Sequence, residues 1–121
     1  MCIRDRLEVV TEGGFYYKNG TYFLLFSEYQ EIGKVSVIVR ARADVVSIKR
    51  SGVCSARMEY EKGTHKEVLY SLPYGDIVID LETDEVINLL TDDGGSLQLK
   101  YKLIVNGEEF YNDMTIDVSV D

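Results

Sequence analysis

Three carboxylates between residues 76 and 82 come first among the residues that could carry out chemistry. If Asp80 and Glu82 lie on a strand that rises about 3.3 Å per residue, they are about 6.6 Å apart, a separation used by inverting glycosidases. These two residues and Asp76 alternate, however, with apolar residues in the range 77–81. A strand with this period-two pattern buries its apolar face. The sequence therefore favours a solvated row of carboxylates over a catalytic pair.

The remaining polar motifs do not form a catalytic or metal-binding pattern. The acidic stretch 92–95 lacks the ligand spacing of an EF-hand loop and is interpreted as an acidic turn. Cys2 and Cys54 are too few for a zinc site or a disulfide framework. Cys54 is interpreted as a small strand residue rather than a nucleophile, because nothing marks the sole histidine, His65, as its partner. The sequence thus predicts no metal and no cofactor, and it favours a protein that is not an enzyme.

Tyrosine is the one residue type in excess, with nine in 121 residues. Tyr60, Tyr70, Tyr74 and Tyr101 recur in predicted strands or at a predicted corner. A tyrosine inside a barrel supplies an apolar ring and one hydroxyl that needs a partner. Arg50, at a strand end, is a suitable partner, and these five residues form a predicted site for a small anionic or amphipathic ligand. In the alternative interpretation, the tyrosines fill the core and Arg50 caps a strand end or pairs with a carboxylate.

The elements that would position these residues are strands joined by short turns. Asn19-Gly20 and Asn106-Gly107 each stand between two strand-like runs. This dipeptide favours the type I′ turn of a β-hairpin, because both central residues need positive φ. The sole proline, Pro73, and the nearby Gly75 predict a corner between two further strands. No segment of ten or more residues carries an apolar stripe of helical period, so the chain is predicted to be all-β.

Ten strand-like segments follow one another along the chain. They cover residues 8–18 with an interruption at Gly13-Gly14, 21–29, 35–43, 45–50, 54–61, 66–72, 76–82, 86–90, 96–105 and 110–120. The polar residues 83–85 are predicted to form a turn. An open meander of so many strands would have two reactive edges, which closure removes. The sequence therefore predicts an antiparallel up-and-down closed barrel of about 8–10 strands, whose interior is filled by side chains or holds one small ligand.

Length and composition predict a single domain. A chain of 121 residues can bury roughly two-thirds of its unfolded surface around one core. Residues 1–6, Met-Cys-Ile-Arg-Asp-Arg, resemble a translated adapter sequence, so they are set apart from the barrel at 7–121 and given no weight. No stretch approaches the roughly 18 apolar residues of a membrane helix, and residues 4–6 are charged where a signal peptide is apolar. A cytoplasmic location without membrane contact is expected.

The charge of the chain is unevenly distributed. The net charge of −8 argues against binding to nucleic acid or to an anionic membrane. Residues 1–66 carry 11 Lys+Arg and 8 Asp+Glu, a net charge of +3, whereas residues 67–121 carry 2 and 13, a net charge of −11. A barrel interleaves distant strands, so this asymmetry need not persist as two patches. Five basic residues are close enough in sequence to form one patch, although a solvated strand face is favoured: Arg40, Arg42, Lys49, Arg50 and Arg57.

The segment 21–29 is apolar on both of its faces. Tyr22, Leu24 and Phe26 lie on one face, and Phe23, Leu25 and Tyr29 lie on the other. Such a strand is either buried on both sides or gives one face to the core and the other to a partner. Two functions therefore stay open. One is binding of a small ligand inside the barrel, and the other is protein interaction, including a homodimer, through this strand or the basic strand face.

Short motifs along the chain resemble one protein family. They are Thr11-Glu12-Gly13, Ile48-Lys49-Arg50-Ser51-Gly52, the corner from Tyr70 to Tyr74-Gly75, Thr83, and Leu99-Lys100-Tyr101. In their order and spacing these motifs resemble the YwiB-like family of bacterial proteins, over nearly the whole chain after Leu7. The resemblance implies a small cytoplasmic barrel of the lipocalin-like calycin group, and it implies no established activity.

Overall fold

The chain is all-β, as its sequence predicts. The computed structural model describes residues 13–30 and 33–120, and within them the chain forms nine strands and no helix, so none that could cross a membrane. The first part of the predicted segment 8–18, residues 8–12, lies outside the described residues, as do the extension 1–6 and its Cys2. The strands are β1 Gly14–Lys18, β2 Thr21–Gln30, β3 Gly33–Arg42, β4 Val45–Gly52, β5 Ala56–Glu61, β6 His65–Leu72, β7 Gly75–Thr91, β8 Gly94–Val105 and β9 Glu108–Ser119.

Alternating side chains build the core. In β3, Val35, Val37, Val39 and Ala41 are buried while the residues between them face outward, as a period of two requires. The inward residues of the other strands join them in one hydrophobic core. Burial of each large apolar side chain contributes about 1.5–3 kcal/mol, so this pattern determines which face of each strand points inward.

Both Asn-Gly dipeptides form hairpin turns. Asn19 and Gly20 have φ values of 52° and 82°, and Asn106 and Gly107 have values of 52° and 81°. Positive φ at both positions is the mark of a type I′ turn. These turns connect β1 to β2 and β8 to β9, and they confirm the prediction.

The corner predicted at Pro73 is a tight hairpin. Leu72 at the end of β6 pairs with Gly75 at the start of β7, which leaves Pro73 and Tyr74 as the turn. Gly75 has a φ of 147°, a conformation that favours glycine. The corner therefore reverses the chain within one sheet.

The prediction of a turn at residues 83–85 is wrong. Gly75–Thr91 is one strand of 17 residues, and its pairing with β8 shifts register between Thr83 and Glu85, at a β-bulge. Thr83 N–H donates to the Thr64 carbonyl at 3.0 Å, and the Thr83 carbonyl accepts from Gly63 N–H at 2.9 Å. A bulge bends a strand without ending it, so these polar residues are accommodated inside β7.

The strands form two sheets. Sheet 1 has the order β1-β2-β3-β4-β5, and sheet 2 has the order β6-β7-β8-β9, with all neighbours antiparallel. This is the predicted up-and-down order, in which sequence neighbours pair. The pairing of the described strands does not, however, close into the single barrel wall that the sequence led us to expect.

Among the described strands β1 and β9 do not pair, and the ladder is also interrupted between β5 and β6. At one end a single bridge joins Ser55 to Ser71, through backbone hydrogen bonds of 2.9 and 2.8 Å. At the other end, the turn that connects the two strands bonds to Thr83 of β7 rather than completing a hairpin. The predicted strand 54–61 accordingly begins only at Ala56, and Cys54 lies in the bend before it.

The division into sheets coincides with the division of charge. Sheet 1 comes from residues 14–61, within the basic part of the chain, and sheet 2 comes from residues 65–119, almost entirely within the acidic part. The strands of the two parts do not interleave. The charge asymmetry of the sequence therefore persists in the tertiary structure.

Candidate functional site

Arg50 is a charged residue among the inward side chains of β4. It is in phase with Val46 and Ile48, so the strand carries its guanidinium into the core, where the side chain is 4% exposed. Its cross-strand neighbours are Val37 of β3 and Ala56 of β5, and both are buried. Alternation along β4 thus places a permanent positive charge inside an apolar sheet face.

Glu28 of β2 balances the charge of Arg50. Arg50 Nε donates to Glu28 Oε1 at 3.0 Å, and the Glu28 side chain is 31% exposed, so the ion pair runs from the core toward the surface. Arg50 Nη1 is buried and has no hydrogen-bond partner among the described residues. Because a guanidinium offers five N–H donors, this ion pair leaves part of the donor capacity of Arg50 unused.

Three buried tyrosines accompany the ion pair. Tyr60 of β5 and Tyr101 of β8 make an edge-to-face contact across the two sheets, with ring centroids 4.9 Å apart. Tyr60 Oη donates to Met58 Sδ at 3.3 Å, and Tyr70 Oη of β6 lies 3.6 Å from Cys54 Sγ. Each tyrosine is at most 1% exposed. Their rings therefore belong to the core, while their hydroxyls bring polar atoms into it.

The electrostatics of this cluster favour a fixed charge over proton transfer. Burial raises the pKa of Tyr60 to about 12, and the charge of Arg50 opposes this shift without cancelling it. Burial also disfavours the charged form of Arg50, but Glu28, Tyr60 and Tyr70 together hold the pKa of Arg50 above its ordinary value. At neutral pH Arg50 is charged and Tyr60 is neutral. A general acid or base needs a pKa near the working pH, so this pair suits binding of an anion rather than acid–base catalysis.

The raised pKa of Tyr60 predicts a loss of stability at alkaline pH. An unfolded tyrosine ionises near pH 10, whereas Tyr60 in the folded protein ionises near pH 12, so the unfolded chain loses its proton first. The contribution is fully present below pH 10 and falls as pH rises toward 12, by about 3 kcal/mol in total. Urea unfolding as a function of pH measures this loss. Tyr60→Phe should flatten the profile over this range, and an equally steep profile for the variant would contradict the assignment.

The structure brings together four of the five predicted ligand-binding residues. Arg50, Tyr60, Tyr70 and Tyr101 are all buried in one core, and Arg50 acts electrostatically on both Tyr60 and Tyr70. Tyr74 does not join them. It lies in the β6–β7 turn and is 80% exposed, because the turn projects it beyond the paired strands.

Two carboxylates of β7, those of Asp80 and Glu82, lie in an outward network of polar contacts. His65 lies between them, with Nε2 3.7 Å from Asp80 Oδ1 and Nδ1 4.0 Å from Glu82 Oε1. Lys102 Nζ lies 2.7 Å from Glu82, and this hydrogen bond holds the pKa of Glu82 below its ordinary value. Within the described part of the chain, no cluster of three or more histidine, cysteine or acidic side chains is placed to hold a metal ion. This row is the solvated strand face that alternation predicts.

Two polar residues of the core, Glu28 and Thr83, were not predicted to lie there. Glu28 is in phase with Leu24 and Phe26 on β2. Alternation along this strand could therefore have predicted that the Glu28 side chain faces inward. Thr83 is 3% exposed, and its Oγ1 has no hydrogen-bond partner within the described ranges. Thr83 is one of the family motifs, but no local signal marks its burial, because that burial depends on a bulge and on contacts with Thr64, which is remote in the chain.

These features define a small antiparallel β protein whose core holds one ion pair among tyrosines. The chain belongs to the family described as "Domain of unknown function (DUF1934)", which matches residues 3–117. The family resemblance seen in the sequence motifs is therefore confirmed.

Among relatives, the chain is similar to the "Uncharacterized beta-barrel protein YwiB" of Bacillus subtilis (strain 168). The two are 26% identical over 114 residues, which cover 93% of this chain and 80% of the relative. The crystal structure of the ywiB protein from Bacillus subtilis matches with a TM-score of 0.78 at 23% identity, over 85% of this chain and 70% of the other. At this identity the structural match establishes a shared fold.

Proposed function

We propose that this protein is a cytoplasmic, calycin-like β-barrel that binds a small ligand through an anionic group held by Arg50. The observation that carries the proposal is the buried Nη1 of Arg50, which has no hydrogen-bond partner among the described residues. A buried donor left without a partner costs about 1–3 kcal/mol, so a site retained at this cost has a use for the donor. A carboxylate or phosphate oxygen would satisfy it with a charge-assisted hydrogen bond.

The surroundings of Arg50 support an amphipathic ligand. Tyr60, Tyr70 and Tyr101 provide apolar rings for the body of the ligand and hydroxyls for its polar end. Glu28 occupies the Nε side of the guanidinium and is partly exposed, so its end of the ion pair marks the direction from which a ligand would enter. Nη1 remains for the anion.

The barrel itself is part of the proposal. Support comes from the relative that is named a β-barrel protein, and from strands that pair in sequence order within each sheet. The bridge from Ser55 to Ser71 and the bonds from the β5–β6 turn to Thr83 hold the two sheets together along one side. The mouth of a β-barrel is a common position for a small-molecule site. No catalytic role is assigned to any residue.

The first test is native mass spectrometry of the gently purified protein, followed by denaturation and identification of any released molecule. The expected result is a complex whose mass exceeds the 13.8 kDa of the chain by that of one anionic or amphipathic compound. The same protein is then titrated with decanoate and with 1-decanol while its thermal midpoint is followed. Decanoate should raise the midpoint in proportion to its affinity, whereas the alcohol, which has no charge for Arg50, should act far less.

Two variants locate the binding group. Arg50→Met should weaken decanoate binding by about tenfold to a hundredfold, the value of one charge-assisted hydrogen bond. Lys49→Met is the matched control, because the adjacent Lys49 carries the same charge on the outward face of β4. A bare protein in the spectrum together with equal responses to decanoate in both variants would refute the proposal.

A further inference from the structure

The outward face of sheet 1 combines apolar and basic side chains. Between the strands that form it, Phe23 pairs with Arg40, and Leu25 pairs with Ile38, which in turn pairs with Lys49. Leu25 is 36% exposed, and Phe23 and Ile38 are half-buried. We call this surface, formed by the outward residues of β1–β4, the outer face of sheet 1.

A row of stacked groups crosses this face. The rings of Tyr16 and Phe23 are 4.8 Å apart and within 9° of parallel, and the Arg40 guanidinium carbon lies 5.9 Å from the centre of the Phe23 ring. Because β2 lies between β1 and β3, Tyr16 and Arg40 approach Phe23 from opposite sides. The row is ordered by contacts on both ring faces of Phe23, and it presents ring edges to the outside.

Every charged side chain on the described outward positions of β1–β4 is basic. They are Lys18, Lys34, Arg40, Arg42 and Lys49. None of them has a carboxylate within 4.0 Å in the described part of the chain. Two outward acids follow on β5. Glu59 is already paired with Lys66 at 2.7 Å and lies 3.8 Å from Arg57, and Glu61 stands opposite Val45. A protein of net charge −8 thus keeps one uncompensated basic face.

We propose that the outer face of sheet 1 docks an acidic, amphipathic segment of another protein. Its apolar residues provide a surface that excludes water, and Arg40, Arg42 and Lys49 match carboxylates on the partner. The charge of the face and the composition of the patch both select this chemistry: apolar side chains alone would accept any hydrophobic partner, and the basic residues restrict it to an acidic one.

Other occupants fit less well. A single-stranded nucleic acid stacks its bases on open ring faces, and here both faces of Phe23 are covered. A second copy would have to bring its acidic sheet 2 to this face. Such a contact joins different surfaces, so it generates rings or open chains rather than a symmetric pair.

The test uses a fluorescein-labelled peptide that alternates glutamate and leucine, with a lysine–leucine peptide as its charge-reversed counterpart. Fluorescence anisotropy with the full-length protein should show saturable binding of the acidic peptide that weakens as salt is added, and no binding of the basic peptide. A uridine oligonucleotide and phosphatidylglycerol vesicles are titrated in the same way. Tighter binding of either than of the acidic peptide would overturn the proposal.

Charge reversal locates the contact. Arg40→Glu combined with Lys49→Glu should weaken binding of the acidic peptide by about tenfold or more, because like charges would then face each other. Lys100→Glu is the matched control, since Lys100 is an exposed basic residue on the other sheet. Tyr16→Ala, which removes an exposed ring without changing charge, should weaken binding severalfold.

Circular dichroism of each variant shows that the fold is intact. Equal affinity of the Arg40/Lys49 double variant and the Lys100→Glu control would refute the docking surface. Light scattering of the protein without peptide supplies a further check. If the unmodified protein self-associates and the Arg40/Lys49 double variant does not, the face binds a second copy of the chain, and the proposal is overturned.

Discussion

Replacement of Gly95 by alanine is expected to destabilise the protein by about 3 kcal/mol, the sum of backbone strain and a steric clash. Gly95 has a φ of 125°, which side chains rarely tolerate. An added Cβ would also collide with the carbonyl oxygen of Leu89 and lie 3.1 Å from its carbonyl carbon. Those atoms belong to the paired backbone of β7, opposite Gly95, and cannot move aside as a flexible side chain would. Urea unfolding followed by circular dichroism measures the change.

Gly63→Ala is the matched control for this prediction. Gly63 also has positive φ, at 80°, but nothing lies within 4 Å of the position of an added Cβ. Only the cost of the left-handed conformation remains, about 1 kcal/mol. Equal losses in the two variants would show that the close approach of β7 to Gly95 does not determine the effect.

Glu28→Gln is expected to destabilise the protein by about 2 kcal/mol. This is less than the roughly 3–5 kcal/mol for breaking a fully buried pair, because Glu28 is partly exposed. The substitution preserves the shape of the side chain and removes its charge. The guanidinium of Arg50, which is 4% exposed, is then left in the core without a counter-charge. Chemical denaturation at neutral pH measures the difference from the native sequence.

Arg50→Met should be milder, at about 1 kcal/mol, because it removes the buried charge and leaves an acid that water reaches. The double variant Arg50→Met/Glu28→Gln should lose almost the same free energy of unfolding as Arg50→Met alone. The four proteins then form a double-mutant cycle with a clear coupling energy. If Glu28→Gln proves no more damaging than Arg50→Met, the ion pair does not balance a buried charge.

Local chemistry was sufficient to predict the hairpins and the direction of most side chains. The Asn19-Gly20 turn follows from the positive φ that two adjacent positions require. Arg50 is in phase with Ile48 and therefore faces inward, since a period of two makes every second residue of a strand do so. The solvated basic face that we favoured for Arg40, Arg42, Lys49, Arg50 and Arg57 is therefore wrong for Arg50. The partner of Arg50 was within reach of the same reasoning, because Glu28 is in phase with Phe26.

Features that depend on contacts between distant segments were beyond such reasoning. Residues 83–85 are polar and resemble a turn, but hydrogen bonds from Thr83 to the β5–β6 turn keep them within one long strand. Tyr74 shares a motif with Tyr70, yet the hairpin geometry exposes one ring while the strand buries the other. In both cases, contacts with residues elsewhere in the chain determine the backbone conformation or the exposure of the side chain.

The sequence by itself determined that the protein is an antiparallel all-β domain, because strand alternation and turn chemistry are local properties of neighbouring residues. Only the tertiary structure decided that the strands divide into two sheets, that the basic and acidic parts of the chain remain apart, and that Arg50 meets Glu28. Those outcomes depend on which strand edges meet and which side chains converge, and a linear pattern specifies the faces of strands but not their neighbours across the core.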